Sequence, residues 1–288
     1  MQDNGVGTTR GAVRFISFIL IIVVSIIVAI SGYMSIVPAS IKSTCRIALP
    51  IILAIITIIF FFSKSQKKFW QISFGLLAVS VAYLVNWIIG NLPSTWFKVD
   101  SASPRGMAIL KVTEAIPLIV IIFLFNWLSR NGINSLYLKG GKLKQSLLMG
   151  LIISLITFMP FAFMGGLKAV LESSTSRILP MIPWLLLFSC ANGFMEELWF
   201  RGLWMGRSVN LIGRSFSLIG TIVIFTAFHV LIYANQQSLL SLIPLIFQWG
   251  VLGSLCGWVT LKTKNLWGGV LGHAAGDFFL YLGIFAAM

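Results

Sequence analysis

The chain has 288 residues, of which 58% are hydrophobic and 10% charged, and its formal net charge is +14. This composition excludes an ordinary soluble domain and is typical of a membrane protein with several spanning helices. The basic residues lie between apolar runs and form no soluble patch with interleaved aromatic residues, so the charge indicates membrane topology and contact with anionic lipids and argues against nucleic acid as a partner.

Apolar segments long enough to cross a membrane follow one another along the whole chain. A spanning helix needs about 20 mostly apolar residues. By that criterion we predict nine spans: 15–36, 47–63, 69–92, 110–129, 146–167, 181–205, 215–234, 239–260 and 265–287. The second is short and contains Pro50, which makes it the weakest of the nine. We therefore expect an all-α polytopic transmembrane bundle, with five spans in residues 1–180 and a core of four spans in residues 181–288.

The basic residues also predict an orientation. Most of the 21 Lys and Arg residues fall in connections that are cytoplasmic if the N-terminus is inside. The positive-inside rule then places the N-terminus in the cytoplasm and the C-terminus outside. The span composition and the absence of sorting signals favour a bacterial plasma membrane.

Small and aromatic residues predict how the helices pack and where they end. Glycines four residues apart indicate close helix contacts in the last two spans, at Gly253 and Gly257 and at Gly268, Gly272 and Gly276. Six tryptophans near span ends are expected to form an interfacial aromatic belt: Trp70, Trp96, Trp127, Trp184, Trp204 and Trp267.

Both histidines and three of the seven acidic residues lie inside the last four predicted spans. A charge near the bilayer centre costs about 2.5–3.5 kcal/mol even on the mildest scale, so such groups are functional candidates. They form three patterns, Glu196-Glu197-x-x-x-Arg201, Phe225-x-x-x-His229 and His273-x-x-x-Asp277. Counted at about 1.5 Å per residue from the nearest cytoplasmic basic residue, the groups at 196, 229, 273 and 277 lie about 14 to 22 Å into the membrane.

Helical geometry separates the two glutamates and groups the other residues. Neighbouring residues on a helix diverge by about 100°, so Glu196 and Glu197 point in different directions. Glu197 can pair with Arg201 four residues later, which leaves Glu196 to face another partner. The same spacing puts Phe225 with His229, and His273 with Asp277, on one helix face each.

Such a cluster suits hydrolysis. A carboxylate can deprotonate water, a histidine can relay the proton, and a second histidine with a short polar group can hold the water or stabilise an oxyanion. Glu196, His229 and His273 could equally bind a catalytic zinc ion with a position left for water. The pattern leaves both uses open. It contains no HExxH motif and no serine nucleophile motif, and we expect Cys190 to be a small buried core residue.

The three motifs in this order resemble the CPBP family (CAAX proteases and bacteriocin-processing enzymes, also called Abi), which includes the type II CAAX prenyl endopeptidases. The resemblance covers residues 181–287, and it implies an all-helical intramembrane endopeptidase whose active site lies in the last four spans.

By this resemblance Glu196 activates water, His229 assists it, and His273 and Asp277 orient the water or stabilise the oxyanion, with Glu197, Arg201 and Phe225 in supporting positions. The family is described both as metalloproteases and as metal-free glutamate enzymes, and we favour the glutamate mechanism. The prenyl proteases have asparagine where this chain has Asp277. An ionised aspartate cannot donate a hydrogen bond to an oxyanion, so its role differs or it is protonated.

Two other functions are consistent with parts of the pattern. The first is a non-catalytic bacteriocin self-immunity or membrane scaffold protein, although the intact motif residues argue against it. The second is a transporter with buried proton sites, which would need internal repeats that the sequence lacks. For a peptidase, leader, pheromone or bacteriocin precursor peptides are better expected substrates than prenylated CAAX proteins, with membrane lipids as the other partner.

Overall fold

The computed structural model describes residues 4–33, 37–90, 96–233 and 238–288, and these residues form helices and no strand. The α-helices in chain order are α1 (Asn4–Tyr33), α2 (Ala39–Phe62), α3 (Trp70–Ile89), α4 (Pro104–Leu128), α5 (Leu143–Phe163), α6 (Gly166–Glu172), α7 (Thr175–Ile178), α8 (Ile182–Glu197), α9 (Gly206–Ile212), α10 (Arg214–Tyr233), α11 (Leu239–Thr263) and α12 (Trp267–Ala287). A π-helical segment, Leu198–Met205, joins α8 to α9, and 3-10 turns lie at Lys67–Phe69 and Ile133–Leu136. The predicted all-α fold is confirmed.

By length and composition, eight segments in the described part of the chain can cross a membrane, which agrees with a polytopic bundle. The count differs by one from the nine predicted spans. The segment not among the eight is 181–205, because α8 has only 16 residues and then continues as the π-helical segment, with two carboxylates and an arginine at the junction. The predicted span ends at 36, 92 and 234 lie outside the described residues.

Helices α2 and α4 are among those that begin earlier than the hydropathy pattern predicts. Helix α2 begins at Ala39 and continues through Pro50, which spanning helices tolerate. Helix α4 begins at Pro104, six residues before the predicted span, because Ser103 caps it. The Ser103 hydroxyl accepts a hydrogen bond from the Gly106 amide at 3.1 Å, and Pro104 occupies a first-turn position where no amide hydrogen is needed.

The chain divides into two compact units, each made of two segments. Unit 1 comprises Met1–Leu84 and Leu203–Ser254, and unit 2 comprises Val85–Gly202 and Leu255–Met288. The sequence pattern predicts a single division after residue 180, and that division stays a prediction.

In unit 1, helix α1 packs against α2, α9 and α10. The Phe18 ring lies 5.0 Å from the Phe216 ring of α10, measured between centroids. The indole of Trp204 is buried and donates a hydrogen bond to the Ser25 hydroxyl of α1 at 2.8 Å. Trp204 therefore does not belong to an interfacial belt: it is a core residue, because a buried hydroxyl satisfies its N–H.

In unit 2, helix α12 is central and packs against α5, α6 and α8, while α4 packs against α8. A side chain at Gly268 would collide with the Ser146 carbonyl of α5, and one at Gly272 would lie 2.5 Å from Ile153 Cγ2. The glycines at 268, 272 and 276 thus form the predicted close contact face, which lies against α5. The close helix contact expected at Gly253 and Gly257 stays a prediction.

Candidate active site

Helices α8 and α12 bring most of the predicted site residues together in unit 2. Glu196 and Glu197 end α8, and His273 and Asp277 lie one turn apart on α12. The two helices approach closely because α8 has a glycine at the contact: a Cβ on Gly193 would lie 3.0 Å from the Ala274 amide nitrogen. Polar side chains from the two helices therefore meet inside the bundle.

Glu197 joins Arg201 to His273. Its Oε1 atom accepts a hydrogen bond from Arg201 Nη1 at 2.6 Å and lies 3.0 Å from His273 Nδ1. All three side chains are fully buried. The predicted Glu197–Arg201 pair is thus present, and the histidine is a third partner that the spacing alone did not reveal. Burying such charges is expensive unless they are paired and hydrogen-bonded, which this arrangement achieves.

The contact with Glu197 determines which nitrogen of His273 is available. A carboxylate only accepts hydrogen bonds, so Nδ1 carries a hydrogen and donates it to Glu197. In the neutral imidazole, Nε2 then carries the lone pair. This atom lies 3.8 Å from Glu196 Oε2 and 3.8 Å from Asp277 Oδ2. The two glutamates therefore take different positions, as the helical geometry predicts: Glu197 holds one edge of the ring and Glu196 faces the other.

A sixth polar residue, Asn192, belongs to the same cluster. Its Nδ2 donates a hydrogen bond to Asp277 Oδ2 at 2.8 Å, and both side chains are buried. The sequence interpretation did not single it out. The available signal was its position four residues before Glu196 on one helix face, since a polar residue inside an apolar helix is itself a functional candidate.

Cys190 of α8 is exposed, so the expectation of a buried core residue is wrong. Leu186 and Leu187, about one turn earlier on the same helix, are exposed as well.

His229 and Phe225 lie together on α10 in unit 1, as their spacing predicts. Their ring centroids are 4.4 Å apart, and His229 Nδ1 lies 2.9 Å from the Phe225 carbonyl oxygen. Because a carbonyl only accepts, Nδ1 is the protonated nitrogen and Nε2 carries the lone pair. Trp249 of α11 stacks on the other side of the imidazole at 4.1 Å between centroids, a contact that the sequence interpretation missed because it joins two helices.

Glu196 and His273 fit the chemistry of a metal ligand pair within unit 2. Zinc binds carboxylate oxygen and imidazole nitrogen at about 2.0–2.2 Å, so two ligands of one ion lie up to about 4 Å apart. The distance of 3.8 Å between Glu196 Oε2 and His273 Nε2 satisfies this limit. Glu197 at Nδ1 would then be the orienting carboxylate that metal-binding histidines usually have. The full predicted ligand set with His229 stays a prediction.

One comparison with known proteins found a match in the region that contains these residues. Residues 177–279 match the sequence model of the family described as type II CAAX prenyl endopeptidase Rce1-like. Comparisons with curated proteins and with solved structures found no match. The matched segment begins just before α8 and ends two residues after Asp277, so it includes every predicted site residue. Residues 177–279 are therefore similar to the type II CAAX prenyl endopeptidases, and this similarity, with the apolar helices, indicates a multi-pass membrane protease.

Proposed function

We propose that the protein hydrolyses a peptide bond of a membrane-associated peptide with a water molecule activated by Glu196. One observation carries the proposal. The Nε2 atom of a fully buried His273 lies 3.8 Å from the carboxylates of both Glu196 and Asp277, while its other nitrogen is held by Glu197. A carboxylate, an imidazole and a second carboxylate at these separations can hold one water molecule between them.

Glu196 acts as the general base. It removes a proton from water, the hydroxide attacks the carbonyl carbon of the scissile peptide bond, and a tetrahedral intermediate forms. When the carbon–nitrogen bond breaks, the proton held by Glu196 passes to the leaving amine. The products are a new carboxylate and a new amino terminus, and no other reactant is consumed.

His273 responds to the charge that develops on the reacting carbonyl oxygen. In the imidazolium form of His273, Nε2 carries a hydrogen and donates a hydrogen bond to this oxygen, and the Glu197 carboxylate at Nδ1 stabilises that form. Arg201 holds that carboxylate through the 2.6 Å hydrogen bond. Asp277, which accepts the hydrogen bond from Asn192, acts on the water or on the imidazole, because an ionised carboxylate has no hydrogen for an oxyanion. We propose an assisting role for His229 from its sequence motif alone.

A metal-assisted version of the reaction uses the same residues. A zinc ion held by Glu196 and His273 would supply a bound water of lowered pKa, and Glu197 would orient the histidine. We favour the metal-free version because Glu196 then has a single role as base.

The expected substrate shares the membrane with the enzyme. Apolar side chains on α2 and α5 are widely exposed, as a lipid-facing surface requires. We propose a bacterial plasma membrane, a cytoplasmic N-terminus, and leader, pheromone or bacteriocin precursor peptides as substrates.

The proposal is tested by purifying Glu196→Gln and His229→Ala in detergent and measuring cleavage of two fluorogenic peptides, one farnesylated with a CAAX C-terminus and one an unprenylated amphipathic helix. We expect both variants to insert at wild-type levels, checked by blot, and to lose cleavage by at least about 100-fold. The control is Glu172→Gln, since Glu172 lies in an exposed ion pair with Lys168. If Glu196→Gln cleaves as well as the wild type, Glu196 is not the base and the proposed mechanism fails. If the wild type itself cleaves neither peptide, a non-catalytic immunity or scaffold role replaces the proposal.

A further inference from the structure

Asn192 and Asp277 form a buried hydrogen-bonded pair that the hydrolytic steps above leave without an explanation. The two residues are 85 positions apart in the chain, and they are only 6% and 2% exposed. The Asn192 amide donates to Asp277 Oδ2 at 2.8 Å. This places an uncharged donor against the one carboxylate of α12.

The backbone next to Asn192 lies close to α12. Gly193, the next residue, lies against Ala274 so closely that a Cβ there would be 3.0 Å from the Ala274 amide nitrogen. The short asparagine side chain can therefore reach Asp277 across the helix contact. Asn192 also lies one turn before Glu196, on the same face of α8.

The direction of the hydrogen bond constrains Asp277. An amide N–H donates only to an acceptor, so Oδ2 serves as acceptor and points between Asn192 and His273 Nε2, which is 3.8 Å away. Without the amide, rotation about the Cα–Cβ and Cβ–Cγ bonds would let the carboxylate turn away from the histidine. The carbonyl Oδ1 of Asn192 is buried and has no hydrogen-bond partner among the described residues, as expected for a group that also meets a water or a substrate N–H.

We propose that Asn192 is a positioning residue of the active site: its amide holds the Asp277 carboxylate at the reacting edge of His273. The inference rests on the proposed function, because it assigns a role to a residue through Asp277. It differs from a structural cross-link between α8 and α12, because it predicts an effect on turnover and not on folding.

Two substitutions test the pair in the assay described above. Asn192→Asp keeps the shape of the side chain but replaces the donor with a second carboxylate, and Asn192→Ala removes the contact. We expect each to lower kcat by about 10- to 100-fold, while KM stays within about two-fold of wild type. The matched control is Ser189→Ala on the same helix, which also removes a buried polar atom without a partner among the described residues and should keep wild-type kcat.

A double-mutant cycle separates positioning from a structural role. In an Asp277→Ala background, Asn192→Ala should change kcat by less than about two-fold, because Asn192 then has no carboxylate to hold. Effects that multiply, or a fall in kcat matched by an equal loss of folded protein in thermal unfolding, would overturn the inference. If the alanine variant does not insert, the isosteric Asn192→Asp variant decides the question alone. If Asn192→Asp is fully active and Glu196→Gln is inactive, only this inference is overturned. If Glu196→Gln is active, the proposed function is overturned.

Discussion

Glu197 has one partner predicted from the sequence and two partners in the structure. Its spacing from Arg201 predicts a supporting ion pair, and the 2.6 Å hydrogen bond agrees. The same Oε1 atom also lies 3.0 Å from His273 Nδ1, so one oxygen contacts both the arginine and the imidazole. A residue assigned to support is thus in direct contact with the imidazole, at Nδ1.

Replacing Glu197 with Gln should impair both folding and catalysis. The amide is nearly isosteric, but Arg201 would lose its buried counter-charge and the imidazolium form of His273 would lose its stabilising carboxylate. Removing one partner of a buried ion pair costs about 3–5 kcal/mol, so we expect a clear fall in the unfolding temperature in detergent together with a loss of kcat. The exposed Lys168–Glu172 pair is the control, since Glu172→Gln should change neither quantity. Wild-type stability and turnover in Glu197→Gln would contradict the role assigned to this carboxylate.

Among the elements, the junction after α8 matters most for the site. The helix passes from α-helical to π-helical geometry at Leu198, directly after the two glutamates, and Arg201 lies in the π-helical part. π-Helical turns are rare and occur frequently at functional sites. Hydropathy does not detect such a change, because it depends on hydrogen-bond geometry and not on the polarity of the side chains.

Helix α12, which carries His273, packs closely against α5 because Gly268 has no side chain at the contact. A Cβ at Gly268 would collide with the backbone carbonyl of Ser146, which cannot rotate away as a side chain could. Gly268→Ala should therefore lower stability by about 1–3 kcal/mol and reduce activity. Gly250→Ala on α11 is the matched control, because its Cβ would meet only Thr226 Oγ1 at an ordinary 3.7 Å. Thermal unfolding and peptide cleavage measure both effects, and equal behaviour of the two variants would show that the close contact is not required.

At the scale of the whole molecule, the orientation in the membrane is a prediction from the distribution of charge. Arg207 belongs to the basic residues that predict a cytoplasmic side. It is buried, and burial lowers the pKa of its guanidinium to about 10, which leaves the group charged at neutral pH. Its charge therefore still counts in the positive-inside rule.

The predicted orientation can be tested with a membrane-impermeant thiol reagent on intact cells. In a background without Cys45, Cys190 and Cys256, we expect Ala102→Cys to react from outside and Ser65→Cys to react only after the membrane is permeabilised. Both positions are exposed in connections between helices, so their reactivity reports the side of the membrane and not burial. Labelling of Ser65→Cys in intact cells would reverse the assigned topology.

The amino-acid sequence by itself determined the class of the protein, the run of spanning helices and the motif residues from Glu196 to Asp277. These are local properties: hydropathy over about 20 residues and side chains one turn apart on a helix. Three features departed from the hydropathy prediction. Helix α2 starts early because it continues through Pro50, and α4 starts early because Ser103 caps it. The junction after α8 depends on backbone hydrogen bonding.

Only the tertiary structure decided which polar atoms meet. The contact of His273 with Glu197 joins residues 76 apart, and that of Asn192 with Asp277 joins residues 85 apart. Such contacts depend on how α8 and α12 are rotated and how closely they approach. Gly193 permits the close approach, because a Cβ there would lie 3.0 Å from the Ala274 amide nitrogen. No local pattern encodes that rotation, because it results from the shapes of two surfaces that are far apart in the chain.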